Sequence, residues 1–436
     1  MSIRVRFAPS PTGRVHIGNM RVAIFNWLFA RHAQGKFLLR IEDTDRERST
    51  PQAIQTLLSA LQWLKMYWDE PPVYQSQRRE AHQAAADRLL ADGAAYRDNK
   101  GGKGECVVFR MPGEDLVFQD EIKGALTKKK EDAADFVIVR SDGSPVFHLA
   151  NVVDDIAMNI THILRGDDHI ENTYRHVALF RALGASPPRY AHFPMVVNQN
   201  GKPYSKRDGD AFVGDFRDKG ILPDALFNYL TLLGWSPGED REKMSRHEIV
   251  SRFTLDRVKN SPAQMDMRKL THLNGQYMAE TPPDEFRLQV RRCLEDCDWA
   301  PAAESPEFLR VCEMMQSRTK MYSQAREWAY FFSDAFPYEE KAVRKGLQKE
   351  GVQAALVRLR ARLESIDFQE AAIETEIRAV EREEGIREGK LNYAIRVAVT
   401  GRATGAGLYE TMALLGRDRC LARLRHATEH LCDESQ

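Results

Sequence analysis

No sign of charge prevails in this chain: 63 lysines and arginines stand against 63 aspartates and glutamates, for a formal net charge of zero. That balance argues against a protein that coats nucleic acid indiscriminately. It leaves room for a nucleic-acid surface confined to one face. Cysteine is sparse, six in 436 residues, too few for a disulfide framework. Long apolar runs are missing as well. Nothing approaches the ~18–20 consecutive apolar residues of a membrane span, and the opening MSIRVRFAPSPTG has no signal-peptide core. These absences predict a soluble, cytoplasmic protein in a reducing compartment, with no membrane partner. What is present is 43% hydrophobic residues, enough for a large core. At ~100–200 residues per domain the length predicts two to four domains.

Residues 3–7 (IRVRF) alternate and read as a strand, followed by a Pro/Gly-rich loop and a helix from about Gly18 to Gly35. Residues 37–41 (FLLRI) read as a strand buried on both faces. Strand, glycine loop, helix, strand is a βαβ unit and implies a parallel sheet. Residues 51–67 and 78–92 read as helices. Short strands at Val107–Arg110, Leu116–Phe118 and Ala125–Thr127 mark 98–135 as an insertion between two halves of a sheet. Strand character returns at 135–140, at 145–153 and at Ile160–Arg165, then a helix at 171–183. From 214 onward helices dominate. Val352, Leu356, Leu359, Leu363 and Ile366 form a helical stripe, with Arg358, Arg360 and Arg362 as a basic flank.

Two segments carry chemistry. PSPTGRVHIGN (9–19) is a glycine loop opening into a helix, which points free backbone N–H groups and the positive dipole end at a phosphate. His16 could donate to a phosphate oxygen, and Gly18 lets a nucleotide approach. GKPYSKRDG (201–209) carries Lys202, Lys206 and Arg207 on a loop able to close over a polyphosphate. Either alone is matched by chance. Their order, one in a βαβ unit and one after the second half of an interrupted sheet, is far more specific.

At this point the sequence resembles the class I aminoacyl-tRNA synthetases, with a HIGH-type and a KMSKS-type signature in this order. The glutamyl subgroup, bacterial type, is the closest match. The resemblance rests on RFAPSPTGRVHIGN (6–19), FLLRIEDTD (37–45), FHLANVVDDIAMNITHILRGDDH (147–169), YSKRDGD (204–210), LPDALFNYLTLLGWSP (222–237), MDMRKLTHLNGQYM (265–278) and VTGRATGAGLYETMALLG (399–416), nearly the whole chain. It implies a Rossmann-type α/β catalytic domain split over 1–77 and 140–200. It further implies an inserted acceptor-end-binding domain at 78–139, a mixed stem-contact domain at 201–280 and an all-α anticodon-binding domain at 281–436.

By the same resemblance the activity is glutamyl-tRNA synthesis: ATP activates L-glutamate to the adenylate, and the glutamyl group passes to the 3′ end of tRNA(Glu). His16 and Lys206 match the catalytic signature residues. Pro9, His16, Gly18, Asn19, Asp168, Ser205, Lys206 and Arg207 would bind ATP. Arg6, Ser10, Glu42, Phe147, Asn151 and Arg165 would bind glutamate, Arg6 on its side-chain carboxylate, Glu42 with Ser10 on its ammonium. Mg2+ accompanies ATP. Asn19 replaces the last signature histidine, Pro203 takes the slot of the first KMSKS lysine beside Lys202, and Phe147 stands where the family commonly has tyrosine, with His148 or a water as compensating donor. The insertion after Tyr96 is short and holds only Cys106, so no structural zinc is expected, and Cys293 and Cys297 lack a second pair. A monomer without an obligate protein partner is expected. Residues Arg402–Leu408 are candidate anticodon contacts.

Four other readings are disfavoured: 281–436 argue against a tRNA-modifying relative lacking the helical end, the helical character of the C-terminal third against a glutaminyl-tRNA synthetase with a β-barrel end, intact His16, Lys206, Arg6 and Glu42 against a non-catalytic tRNA-binding paralogue, and the helical end again against a smaller nucleotidyltransferase. Whether a glutamine tRNA is charged as well stays open.

Overall fold

Strand β1 (Arg4–Phe7) turns Val5 and Phe7 into the core and runs parallel to β2 (Lys36–Ile41), with Arg4 opposite Lys36 and Phe7 opposite Leu39. The helix between them, α1 (Ile17–His32), buries residues all round its surface, from Ile17 and Met20 to Phe25, Trp27 and Leu28. A helix apolar on every side belongs inside a protein. Here the sheet covers one face and a later helix, Pro223–Leu232, another. Gly35 makes the return to β2 possible: a Cβ there would lie 2.4 Å from the Ile3 carbonyl oxygen. This is a computed structural model, describing residues 2–11, 13–45, 49–99, 104–302 and 305–432. Parts of two segments read from the sequence, Thr12 of 6–19 and 100–103 of 98–135, lie outside those residues.

Further along run α2 (Pro51–Trp63), β3 (Val73–Tyr74), α3 (Arg79–Ala91), β4 (Ala95–Asp98), β5 (Cys106–Phe109), β6 (Leu116–Asp120), β7 (Gly124–Lys128), β8 (Phe136–Val139), α4 (Phe147–Ala157), β9 (His162–Gly166), α5 (Ile170–Ala182) and β10 (Arg189–Phe193). β3 pairs parallel with β2, and β9 with β10. β1 and β9 meet edge to edge, where Thr161 N–H donates to the Arg4 carbonyl at 2.9 Å. β1 thus lies between the two halves, and the chain direction of the crossovers reverses there. Such a switch point opens a crevice at the carboxyl ends of the strands, the usual ligand site of an open α/β sheet.

β6 of the 98–135 segment pairs parallel with β10 through Asp120 and Tyr190. One continuous core joins Val107, Phe109, Leu116 and Phe118 to Leu149, Val152, Tyr174 and Tyr190. The strand expected at 145–153 is instead helix α4. Val152 and Val153 favour strands, but α4 is packed by α3, α5 and β8 and buried from His148 through Val152. A short apolar run buried on most sides has no periodicity to separate strand from helix, and tertiary packing decided.

Contacts divide the chain into Met1–Leu273 and Asn274–Gln436. The second unit has no strand among its described residues. Its helix Val352–Leu363 buries Ala355, Leu356, Leu359 and Leu363, and Ile366 falls beyond the helix end. Two of the three arginines of the expected basic flank, Arg358 and Arg362, are spent inside this unit. Arg358 pairs with Glu384 at 2.6 Å, and Arg362 with Glu376 at 2.7 Å and with Glu383. Arg402 is likewise held by Glu339 at 2.6 Å and Glu327 at 3.0 Å. Among the described residues no helix is long and apolar enough to cross a membrane.

Candidate active site

A cavity of about 460 Å³ opens at the carboxyl ends of β1 and β9. Arg6, Pro9, Ser10, His16, Gly18, Asn19, Glu42, Phe147, Asn151, Arg165 and Asp168 all line it. Ser205, Lys206 and Arg207 do not. Of their loop only Pro203 and Tyr204 reach the wall. The physical reason is Asp208, which accepts the Ser205 N–H and hydroxyl, both at 2.9 Å, and the Asn198 side-chain amide at 2.7 Å. The loop is closed on itself, and Lys206 and Arg207 face solvent. Lys202 is exposed too, with its backbone N–H on Asn198 Oδ1 at 3.1 Å.

The cavity floor is a buried network of charges. Arg6 grips Asp155 with Nε at 3.0 Å and NH2 at 3.2 Å. Arg40 donates to the same carboxylate at 2.5 Å, to Asn151 Oδ1 at 2.9 Å and to Glu42 Oε1 at 3.3 Å. Asn151 Nδ2 donates to Glu42 Oε1 at 2.6 Å. Burial opposes the charge on Arg40, but Asp155, Glu42 and Asp154 outweigh it and hold that guanidinium above its ordinary value. Burial would raise Asp155, yet Arg40 and Arg6 keep it low. Burial raises Glu42, with Arg40 and Arg6 only partly offsetting it. Both contacts to Glu42 fall on Oε1, so Oε2 is left for a ligand, as is NH1 of Arg6.

Arg40 and Asp155 escaped the sequence reading. Their signals were there: an arginine inside the apolar strand FLLRI, and paired aspartates closing NVVDD. A charge in a buried element demands a partner, and these two answer each other.

Arg165 differs from every other buried cation of the floor. Its donors reach only neutral acceptors: Thr173 Oγ1 at 2.8 Å, the His169 carbonyl at 3.3 Å, His192 Nε2 at 3.3 Å and His176 Nδ1 at 3.4 Å. To accept from Arg165, His192 must hold its proton on Nδ1, where Asp120 Oδ2 waits at 2.6 Å. Burial lowers His176 and His192, keeping both rings neutral, and pushes Arg165 down to about 10. Its charge is therefore unspent, 7% exposed, and on the cavity wall. Arg21, also on the wall, likewise reaches only neutral oxygens, the carbonyls of Leu233 and Pro194, with Asp167 partly offsetting its burial. It was not singled out from the sequence, where it reads as one more helix arginine.

His16 caps α1: the Gly18 N–H donates to its Nδ1 at 3.0 Å. That fixes the ring proton on Nε2, in contact with the Tyr204 carbonyl, and burial lowers its pKa. The result is a neutral donor at a helix N-terminus. Phe147 packs its ring near those of His148 and His176, with centroids at 5.4 and 5.6 Å. His148 does not compensate for the missing tyrosine hydroxyl. Its nitrogens are committed to His176 at 3.2 Å and Arg175 at 3.1 Å, away from the cavity. Cys106 donates its thiol to the Asp98 carbonyl at 2.9 Å. Among the described residues no group of three His, Cys, Asp or Glu is placed to hold a metal ion.

Residues 2–103 and 99–272 match the family model "tRNA synthetases class I (E and Q), catalytic domain", and 287–428 match "Anticodon binding domain". A glutamate–tRNA ligase of Methylacidiphilum infernorum is 40% identical over 97% of this chain and 97% of its own. Glutamate–tRNA ligase 2 of Rubrobacter xylanophilus is 38% identical over 98% of this chain and 97% of its own. The crystal structure of a glutamate tRNA ligase from Elizabethkingia meningosepticum, in complex with its amino acid, superposes with a TM-score of 0.83 at 26% identity, covering 99% of this chain and 100% of that one.

Proposed function

Because the chain belongs to the glutamate–tRNA ligases, a family of class I tRNA synthetases, we propose the following division of labour for its reaction. The reaction joins L-glutamate to AMP with loss of diphosphate, then passes the glutamyl group to the 3′ end of tRNA(Glu). The observation that carries the assignment is Arg165, a buried cation beside Arg6 and Asn151 on the cavity wall with no carboxylate paired to it. A cavity that keeps Arg165 without a carboxylate is complementary to a ligand that brings one. Arg165 and NH1 of Arg6 take glutamate's side-chain carboxylate. Oε2 of Glu42, with Ser10 beside it, takes the ammonium, while Asn151 and Arg40 hold Glu42 in place. Phe147 supplies an apolar wall over the side chain.

ATP enters above α1. Pro9, Gly18 and Asn19 make the close approach, and Asp168 meets the nucleotide's hydroxyl side. His16 leaves the Tyr204 carbonyl and donates Nε2–H to the α-phosphate as charge builds there. Lys206, with Ser205 and Arg207, reaches the departing diphosphate when the 201–209 loop opens its Asp208 turn and swings inward. Magnesium comes as the counter-ion of the ATP substrate, and no residue is assigned to it. The 78–139 segment receives the acceptor end, 201–280 the stem, and 281–436 the anticodon arm.

The test is charging. The purified protein, labelled glutamate, ATP and tRNA(Glu) should give glutamyl-tRNA, and ATP–diphosphate exchange run with and without tRNA locates the activation step. Absence of glutamyl-tRNA with an intact tRNA would sink the reading. Within it, His16→Ala should slow adenylate formation about 100- to 1,000-fold, the usual loss on removing one donor from a developing oxyanion. Glutamate affinity, measured by titration calorimetry, should stay unchanged. A matching loss of glutamate affinity would place His16 elsewhere.

A further inference from the structure

Arg165 meets two histidines, and the two contacts are not equivalent. His176 Nδ1 lies 3.4 Å from its NH1, His176 Nε2 lies 3.2 Å from His148 Nδ1, and His148 Nε2 lies 3.1 Å from NH1 of Arg175. A guanidinium, which only donates, thus stands at each end of a pair of imidazoles. Burial keeps both rings neutral, His148 pushed down to about 4. A neutral imidazole has one N–H and one lone pair. If both arginines donate inward, two N–H groups face each other across the 3.2 Å gap in the middle. Arg165 therefore keeps His176 as an acceptor only when Arg175, an exposed side chain, gives up His148.

The His192 contact is decided from behind. Its Nε2 lies 3.3 Å from Arg165 Nε and 3.0 Å from Thr173 Oγ1, and its Nδ1 lies 2.6 Å from Asp120 Oδ2. Burial would raise the Asp120 carboxyl, but His192 and the N–H groups of Lys123 and Ile122 hold it below its ordinary value. A carboxylate only accepts, so the ring proton sits on Nδ1 and the Nε2 lone pair faces Arg165. Asp120, His192 and Thr173 are all buried, which keeps solvent from offering the ring another partner. Asp120 closes β6 of the inserted segment, and its Oδ1 takes the Ile122 and Lys123 N–H groups at 2.9 Å each. Neither Asp120 nor His192 lines the glutamate cavity.

We propose that Asp120 is a positioning residue for glutamate: acting through His192, it fixes the plane in which the Arg165 guanidinium meets the substrate carboxylate, so that the 98–135 segment supplies part of the glutamate site. This rests on the role of Arg165 proposed above. A fork onto a carboxylate works in one plane, and the acceptors behind the guanidinium set that plane. Thr173 Oγ1 and the His169 carbonyl both hold NH2. The NH1 partner, His176, is contested by Arg175. Nε has His192 alone among the described residues. With His192 in its other tautomer, Nε2–H and the Arg165 Nε–H would oppose each other at 3.3 Å, and the guanidinium would turn out of the plane.

The test is Asp120→Asn. The Ile122 and Lys123 N–H groups keep the amide oxygen on the Oδ1 side, so the new amide nitrogen donates to His192 Nδ1 and drives the ring proton to Nε2. Nitrogen NMR of isotope-labelled histidine, with the His192 signals assigned by their loss in His192→Gln, should show Nδ1–H in the unaltered chain and Nε2–H in the variant. Glutamate affinity by titration calorimetry should fall about ten- to a hundredfold, the range for losing a hydrogen bond to a charged group. A non-hydrolysable ATP analogue should bind as before. In an Arg165→Lys background no Nε–H is left to oppose the ring, and Asp120→Asn should cost less than about twofold. An equal loss in both backgrounds would reduce Asp120 to a merely structural part and overturn the proposal. So would affinity kept within about twofold in the single variant, or affinity lost while the ring stays protonated on Nδ1. A ring protonated on Nε2 in the unaltered chain would overturn it as well, a result that does not depend on the variant folding. If the unaltered protein binds glutamate while these results fail, only the role of Asp120 falls. If it binds none, the functional reading falls, and this proposal with it.

Discussion

Arg165→Met should abolish useful glutamate binding while leaving the ligand-free fold as stable as before, or more so. The cation sits in the wall of the cavity at 7% exposure with neutral partners only. Removing a cation that completes a buried pair with its ligand costs about 2–5 kcal/mol of binding, or about 30- to 4,000-fold in affinity. The same charge gains little in the free protein, because no carboxylate pairs with it and Asp155 and Glu42 offset only part of its desolvation. The two readouts must therefore move apart: calorimetric titration with glutamate collapses, and the thermal midpoint does not fall. Arg165→Lys should recover only part of the affinity. An ammonium is a point charge and cannot fork onto a carboxylate while keeping four fixed acceptors. Glutamate binding within threefold of the unaltered protein in the Met variant would refute a ligand role.

Asp155→Asn should do the reverse and act first on stability. Asp155 is the shared anion of Arg6 and Arg40, and all three are buried. Breaking a buried pair by removing one partner costs about 3–5 kcal/mol, since it strands the opposite charge. At about 2–4 °C per kcal/mol for a unit of this size, the first unit's thermal midpoint should fall by about 6–20 °C. Arg6 would lose its bidentate anchor, so glutamate affinity should weaken as well. The pH dependence supplies a control. Arg40 and Arg6 hold the Asp155 carboxyl low in the folded protein. Its stabilisation is thus fully present above the unfolded value of about 3.9, and is lost as pH falls through the lower folded value. The gap between the two proteins should close only in strong acid. A gap that closed near neutrality, or a midpoint unchanged by the substitution, would show the network to be dispensable.

These two residues mark how the site was written into the chain. Arg165 lay inside ILRGDDH and His16 inside HIGN, motifs whose order along the chain is enough to name the chemistry. What they touch is another matter. His192 and His176 reach Arg165 from 27 and 11 residues away, and Asp155 reaches Arg6 across 149. Pairings of that range are set by which strands meet, and no local pattern carries them. The same holds for Lys206. Its place in the signature was legible, but whether the loop points inward depends on Asp208 and Asn198, which hold it in the self-closed form.

Among the elements, the strands IRVRF and FLLRI, helix α1 and the helical end were readable because each has a period or a flanking glycine that local sterics enforce. The sequence by itself determined the βαβ start, the family and the helical character of the C-terminal third. Tertiary structure alone decided that 147–157 is a helix, because burial on several sides removes the periodicity that would reveal it. It alone decided that Arg358, Arg362 and Arg402 serve the protein's own carboxylates, because charge on a chain is local and its neutralisation is not. And it alone left Arg165 without an anion, since a missing partner can be seen only when every neighbour is in place.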